Sequence, residues 1–167
     1  MSAAVQVSAA VQAALEEAGI SVAQAYEKEK FSPLSSPLCV IGERSAVIEA
    51  AGMLDYLGER WNEERGSVEE VYGKAWRLTL SLDVFASRSA GAAACAKVSE
   101  DVTAALLRHL PSGLAVEELS WEESRWDKEY GLFLRRGRAK FSAYFLAAAA
   151  EDETVVSDFI LKGVVKT

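Results

Sequence analysis

A stretch near the middle of the chain alternates strictly between apolar and polar residues. Its apolar positions are Trp76, Leu78, Leu80, Leu82 and Val84, and the polar positions between them are Arg77, Thr79, Ser81 and Asp83. Successive side chains of an extended chain point to opposite faces, so this period of two predicts a strand with one buried face. Such a strand belongs to a sheet whose apolar face is covered by another layer.

The pattern takes the period of a helix after residues 87–89. The apolar residues Cys95, Val98, Val102 and Leu106 recur at spacings of three and four. The sequence Pro-Ser-Gly at 111–113 stops the pattern, which predicts a helix from about Ala90 to Leu110. A similar stripe, followed by a glycine at position 19, predicts a first helix, and its members are Val7, Val11, Ala14, Leu15 and Ala18.

The remaining segments have the signals of strands and turns. Ile20, Val22 and Tyr26 suggest a short strand, and residues 38–41 predict another that continues through 47–50. A further strand opens at 114–116, and the segment 121–127 leads into a turn at 128–131. The alternating segments 141–147 and 155–161 predict an antiparallel hairpin near the end of the chain.

Together these elements predict an α+β fold with a mainly antiparallel or mixed β-sheet. Two principal helices are expected to pack on one face of the sheet, and a charged hairpin is expected to project from it. The 167 residues, half of them hydrophobic, suffice for one core but not comfortably for two. We therefore expect a single domain that spans residues 1–167.

The projecting hairpin is predicted at residues 54–75, where charged residues surround two glycines. One interpretation is a solvated hairpin or loop, and the other is an arm that contacts a neighbouring subunit. Apolar and aromatic residues within this charged segment favour a contact surface. The candidate interface residues here are Trp61, Glu63, Glu64, Arg65 and Tyr72.

A basic cluster follows later in the chain, at Arg135, Arg136 and Arg138, with Lys140 close behind. It has three interpretations. It is a charged turn that pairs with the acidic surface of its own subunit, a contact for an acidic patch on a neighbouring subunit, or a contact for a DNA backbone. The three arginines are the remaining candidate interface residues.

The overall charge and composition restrict the classes of partner. A formal net charge of −7 argues against specific nucleic-acid binding, which requires a basic surface. No run of apolar residues approaches the eighteen needed to cross a bilayer, and no export signal is recognisable, so no membrane partner is expected. Cys39 and Cys95 lie in apolar patterns, which predicts buried thiols in a reducing cytoplasm.

No catalytic constellation, metal-ligand spacing or phosphate-binding loop is recognisable, so we expect no enzyme activity and no cofactor. The only histidine, His109, is expected to interact with the carbonyls at the end of its helix. Pairs of adjacent glutamates are expected to point to opposite faces and to remain solvated. The competing class is a small cytoplasmic enzyme or ligand-binding domain whose pocket combines Asp83, Arg125, Asp127 and His109. A third interpretation is a monomeric or dimeric regulatory protein.

The order of elements, with several local motifs, resembles the tail terminator, or tail completion, and neck proteins of long-tailed bacteriophages and prophages. The motifs are residues 80–86, the cysteine-bearing helix, Trp126-Asp127 before Gly131-Leu132-Phe133, and the segment 158–163. Trp126, where a tyrosine is expected, and the long charged hairpin depart from the family pattern.

The resemblance implies a non-enzymatic ring, typically of six subunits, that caps the finished tail tube. Its implied partners are further copies of the chain, the tail tube protein and the head–tail connector protein, and DNA passes through the ring without specific binding. The implied location is the host cytoplasm during assembly and then the neck region of the virion tail. A closed ring requires a heterologous interface, in which one face of a subunit meets a different face of the next.

Overall fold

A computed structural model describes residues 3–25 and 34–148 of the chain. Its architecture is α+β, with two helices and an eight-stranded, mostly antiparallel sheet, and it confirms the predicted fold class. The elements in chain order are α1 (Ala3–Glu17), β1 (Val22–Gln24), β2 (Leu38–Ala50), a short 3-10 turn (Met53–Asp55), β3 (Tyr56–Asn62), β4 (Ser67–Ala86), α2 (Gly91–Arg108), β5 (Ala115–Trp121), β6 (Arg125–Asp127), β7 (Leu132–Arg135) and β8 (Gly137–Ala148).

The 20-residue strand β4 runs through the centre of the sheet. On one side it pairs first with β2 and then, beyond the 3-10 turn, with β3. On its other side it pairs with β7 and β8, which follow one another along the same edge. The outer strands β5 and β6 pair with β8 and β7, and β1 joins β2 as the single parallel pair among the described strands. The sheet is therefore mixed but mainly antiparallel.

Both helices cover the same face of the sheet, as the sequence predicted. The five alternating apolar residues from Trp76 to Val84 are buried and form the main core with side chains of both helices. Of the polar residues between them, Ser81 is the exception to the predicted exposure. It is buried, and its hydroxyl donates a hydrogen bond to the carbonyl oxygen of Gly42 at 3.2 Å. A buried hydroxyl is tolerated because this hydrogen bond satisfies it.

The ends of α1 follow the predicted chemistry. Gly19 has a φ of +79°, its N–H donates to the Glu16 carbonyl, and the N–H of Ile20 donates to the Leu15 carbonyl. This is the left-handed helix terminus for which glycine is favoured. The second helix begins and ends within two residues of the predicted bounds.

A smaller apolar cluster lies on the opposite, open face at one end of the sheet. Phe85 belongs to that face because it follows Val84, which faces the helices. Its buried companions are Ala23, Leu38, Val40 and Leu134. The rest of the open face carries many charged side chains.

Several predicted boundaries were wrong. The long central strand begins at Ser67 rather than Trp76, so the second strand of the predicted hairpin is the first part of β4. The basic cluster is not a turn between neighbouring strands, because β7 and β8 both pair with β4 and are separated only by Arg136. Tyr26 and the segment 155–161 of the predicted terminal hairpin lie outside the described residues. Among the residues that the structure describes, no helix is long and apolar enough to span a membrane.

Candidate subunit interface

Residues 56–72, here termed the arm, form a hairpin at one end of the sheet. In β3, none of the side chains is buried. The register places Trp61 opposite Val68 and Tyr56 opposite Tyr72. Because β4 alternates regularly, its even-numbered residues here share the face that carries Trp76 and the helices. The arm therefore extends the apolar face of the sheet into a region where its side chains remain accessible to solvent.

Four accessible apolar side chains lie along this face and are here termed the apolar strip: Ile48, Tyr56, Trp61 and Val68. Trp61 and Ile48 are each 61% exposed, and Val68 is 57% exposed. The half-buried ring of Tyr72 meets Tyr56 edge to face, with 5.6 Å between the ring centroids. Exposed apolar and aromatic side chains that share one face of a hairpin are typical of contact surfaces.

The tip of the arm is an ordered turn that presents charged side chains. The side-chain oxygen of Asn62 accepts hydrogen bonds from the N–H groups of Glu64 and Arg65, at 3.0 and 3.1 Å. Gly66 completes the turn with a φ of +61°. Glu63, Glu64 and Arg65 are all exposed. The arm as a whole holds five glutamates and two arginines, so it is acidic.

Polar contacts on the arm fix the backbone that carries these residues. Glu69 accepts a hydrogen bond from the Asn62 amide at 2.9 Å and pairs with Arg60, and these contacts lower the pKa of its carboxyl group. Tyr72 donates a hydrogen bond to Glu70 at 2.5 Å, which raises the pKa of its phenol. These bonds hold side chains in place without covering the apolar strip.

The 3-10 turn between β2 and β3 adds a further exposed apolar feature. Met53 and Leu54 are 85% and 86% exposed, and Leu54 has a φ of +54°. An ion pair between Asp55 and Lys74 ties this turn to β4, and the hydrogen bond from Lys74 lowers the pKa of Asp55. A left-handed backbone at a non-glycine residue is strained, so the surrounding contacts must maintain it.

A concavity of about 420 Å³ lies on the open face of the sheet, toward the other end of β4. We term it the arginine cleft. In β8, Arg138 lies opposite Ser81 of β4 on one side and Ser120 of β5 on the other. These three strands therefore form the floor of the cleft. The charged side chains that line it are Arg44, Asp83, Glu122, Arg136 and Arg138.

The acidic groups of the cleft do not neutralise its arginines. The closest ion pair joins Arg44 Nη2 to Asp83 Oδ2 at 3.8 Å. Burial raises the pKa of Asp83, and the nearby Arg44 and Arg136 partly oppose this rise. Within the described ranges, 3–25 and 34–148, neither Arg136 nor Arg138 forms an ion pair. Both are exposed, so their guanidinium groups remain available to a carboxylate or phosphate.

The structure thus places seven of the eight predicted interface residues on two separate surfaces. Trp61, Glu63, Glu64, Arg65 and Tyr72 lie on the arm, and Arg136 and Arg138 line the arginine cleft. Arg135 belongs to neither, because it pairs with Val84 and faces the helix side. Its Nε donates a hydrogen bond to the Glu122 carbonyl at 2.8 Å, and its guanidinium lies 6.0 Å from the Trp121 ring centroid.

Sequence reasoning missed the cleft residue Arg44 and the strip residues Ile48 and Tyr56. The pairing register shifts between Glu43 and Ser45, and Arg44 occupies this bulge and reaches the cleft. No sequence signal marks such a bulge in a polar strand segment. The alternation of residues 47–50 indicated a strand that contains Ile48. The sequence did not show that the helices leave this part of the face uncovered, so the exposure of Ile48 was missed.

One pair of adjacent glutamates contradicts the prediction of opposite faces. A register shift between Val116 and Glu118 turns both Glu117 and Glu118 toward the open face. Glu117 lies 3.4 Å from Arg77, which also pairs with Glu49 at 3.0 Å, and Glu118 pairs with Lys140 at 2.6 Å. These carboxylates are paired with cations of the same chain.

His109 lies apart from Asp83, with which it was proposed to form an alternative catalytic pocket. His109 lies at the end of α2 on the helix side, with Nδ1 3.5 Å from a Glu17 carboxylate oxygen. Its ring was predicted to interact with helix carbonyls, whereas only its backbone N–H does so, donating to Ala105. Asp127 accepts hydrogen bonds from the N–H groups of Glu129 and Tyr130 and so forms the β6–β7 turn. Asp83 lies in the arginine cleft, on the face of the sheet opposite to His109.

The remaining chemical groups are structural in character. Cys39 and Cys95 are both fully buried, as predicted, and burial raises the pKa of Cys39 to about 12. The Cys95 thiol lies 3.6 Å from the carbonyl oxygens of Val84 and Phe133. In the part of the chain that the structure describes, no three histidine, cysteine or acidic residues group as metal ligands would.

Comparisons with known proteins give a weak likeness to solved structures. No family model matches the chain, and no curated protein matches it. Among solved structures, the chain is similar to one from the virion of a native gene transfer agent particle. The two are 16% identical, and the match covers 86% of this chain and 98% of the other, with a TM-score of 0.41. A likeness at this TM-score carries no argument about function.

Proposed function

We propose that the protein is a structural subunit of a phage-type tail, in which a ring of copies, six by preference, caps the tail tube. The ring joins the tube to the head-side connector. The observation that carries this proposal is the arm, whose apolar strip continues the buried face of the sheet into solvent. A subunit of an assembly needs such a surface, whereas an isolated monomer gains nothing from it.

The form of the arm supports a ring rather than a symmetric dimer. It ends in an acidic tip at one end of β4, and the arginine cleft lies toward the other end. Contacts between two different surfaces are heterologous, and they close into a ring when the rotation between subunits permits. The resemblance of the sequence to tail terminator and neck proteins favours a ring at the end of a tail tube.

The proposed partners are further copies of the chain, the tube protein and the connector protein. We assign the chain no catalytic role, and we place it in the host cytoplasm during assembly and in the neck of the finished tail. The acidic net charge suits a ring through which DNA passes without being retained.

Removal of the gene from the parent phage or prophage tests this role. Electron microscopy of the resulting particles should show tails of uncontrolled length or heads without tails, and a plasmid copy of the gene should restore normal particles. Normal infectious particles from the deletion strain would refute the proposal.

A second candidate function is a ligand-binding domain that takes a small anion in the arginine cleft. The unpaired Arg136 and Arg138 favour it, whereas Asp83 and Glu122 in the same cleft oppose it. Titration calorimetry with inorganic phosphate and with citrate tests this function. Micromolar binding that an Arg138→Ala variant abolishes would support it.

A further inference from the structure

We propose that the arginine cleft of one subunit receives the acidic arm tip, residues 63–65, of a second copy of the chain. This inference rests on the proposed ring and names the contact between its subunits. The apolar strip then lies against the surface of the neighbouring subunit that borders the cleft. Each copy offers its tip to one neighbour and its cleft to the other.

The two surfaces are too far apart to meet within one subunit. The tip joins β4 at Ser67, and the floor of the cleft includes Ser81 on the same strand. Fourteen residues of extended chain separate these positions by roughly 45 Å, since a strand rises about 3.3 Å per residue. Any contact between the tip and the cleft is therefore a contact between two molecules.

The charges of the two surfaces are complementary. Glu63 and Glu64 form no ion pair within the described part of the chain, and Arg136 and Arg138 also form none. The open face elsewhere is already neutralised by local pairs such as Lys140 with Glu118. The cleft combines three arginines with only two carboxylates, Asp83 and Glu122, so it carries a small excess of positive charge on an otherwise acidic protein. Carboxylates are suited to guanidinium groups because two parallel hydrogen bonds can form.

The tip is organised before it binds. Asn62 fixes the turn through two hydrogen bonds, so little backbone freedom is lost when the glutamates enter the cleft. Preorganisation of this kind lowers the entropic cost of association. The cleft is open on one side and about 420 Å³ in volume, which accommodates the side chains of a narrow hairpin turn.

The two kinds of surface contribute differently. Ion pairs at an accessible interface set orientation and encounter rate more than affinity, and salt screens them. Burial of Trp61 and Val68 against the neighbour supplies the apolar contribution. The contact should therefore weaken as salt increases without disappearing.

Cross-linking tests the contact directly. Arg65→Cys places a thiol at the tip, and Ser120→Cys places one among the residues that line the cleft. The native cysteines are fully buried and do not compete. A short bismaleimide should join chains that carry both substitutions into a ladder that ends at a closed ring. A mixture of chains with one substitution each should give dimers only.

The matched control pairs Arg65→Cys with Lys97→Cys, on an exposed position of α2. It should cross-link at least tenfold less than the tip–cleft pair. Equal yields for the two pairs, or no cross-linking at high protein concentration, would overturn the inference. Arg138→Glu in the tip–cleft background should lower the yield at least tenfold, and added Glu64→Arg should restore it.

The inference and the proposed function fail in different ways. If deletion of the gene leaves heads without tails but Arg138→Glu particles assemble normally, the tip–cleft contact is wrong and the tail role stands. If the ladder forms but the deletion strain yields normal particles, the contact stands and the tail role is wrong. If phosphate or citrate lowers the cross-linking yield more than a simple salt does at the same ionic strength, the ligand-binding function is favoured.

Discussion

The indole ring of Trp121 lies directly against the backbone of Gly137, its partner in the β5–β8 pair. A methyl group added at Gly137 would stand 2.6 Å from ring carbon Cε3 and 2.8 Å from the carbonyl oxygen of Leu82. The ring itself is held by a 3.1 Å hydrogen bond from its Nε1 to the Thr103 hydroxyl. Neither the ring nor the backbone can move without breaking other contacts.

We therefore expect Gly137→Ala to lower the free energy of unfolding by about 1–3 kcal/mol, since the added methyl overpacks a closed site. Urea denaturation measures this change. Ser120→Ala, at an exposed position one residue before Trp121, is the control and should change stability by less than about 0.5 kcal/mol. Equal effects of the two substitutions would mean that the ring does not contact Gly137.

The core of the sheet gives a second prediction. Leu80 and Leu82 are fully buried between the sheet and the helices. Replacement of either with alanine should cost about 2–5 kcal/mol, through lost burial and the cavity that remains. Thr79→Ala, on the other face, should cost much less. Similar small effects in denaturant melts at all three positions would mean that the faces of β4 are wrongly assigned.

The sequence predicted the core well because alternation and helical stripes report burial directly. The residues from Trp76 to Val84 face the helices as expected, and Gly19 ends α1 as its backbone freedom suggests. The start of β4 was harder to predict. Between Ser67 and Lys74 the strand lies outside the helix layer, so no apolar alternation distinguishes it from a loop.

The candidate site was predicted only in part, for a related reason. Trp61 and Arg138 could be proposed from their residue types in unusual surroundings. The cleft also needs Arg44, which reaches it from a bulge, and the same kind of bulge brings Glu117 and Glu118 to one face. A bulge adds one residue to one strand of a pair, so the side chains around it no longer alternate regularly between the two faces. Its position depends on local backbone geometry and on the partner strand, and the alternation pattern of one segment does not show it.

A third prediction concerns the thiol of Cys39. Burial raises its pKa to about 12 from an ordinary value of 9.0, and the Asp83 carboxylate adds to the rise. Between these values the folded chain keeps the proton and the unfolded chain loses it. The free energy of unfolding must therefore fall as pH rises through this window.

Cys39→Ala removes this dependence and leaves other titrations unchanged. We expect the stability difference between the two proteins to shrink by about 2 kcal/mol between roughly pH 8 and pH 10.5, because each pH unit is worth about 1.4 kcal/mol. Urea denaturation at the two pH values measures it. A difference that is constant with pH would mean that the thiol is more accessible to solvent than its burial implies.

The last prediction contrasts two tryptophans on the same face of the sheet. Trp76 is 3% exposed and belongs to the core, whereas Trp61 is 61% exposed and belongs to the apolar strip. Trp76→Ala should lower the free energy of unfolding by about 3–5 kcal/mol, and Trp61→Ala should change it by less than about 0.5 kcal/mol. We therefore expect the stability of a purified subunit to be nearly independent of Trp61.

Assembly should depend on Trp61 if the strip is an interface, because aromatic anchors contribute a large share of the energy of contact surfaces. Complementation of a gene-deleted phage with the Trp61→Ala copy should give at least tenfold fewer tailed particles than the unaltered copy. Leu107→Ala, at an exposed apolar position on α2, is the control and should complement fully. Full complementation by Trp61→Ala would show that the strip is not needed for assembly. A stable variant that fails to complement would place the defect in the contact between subunits.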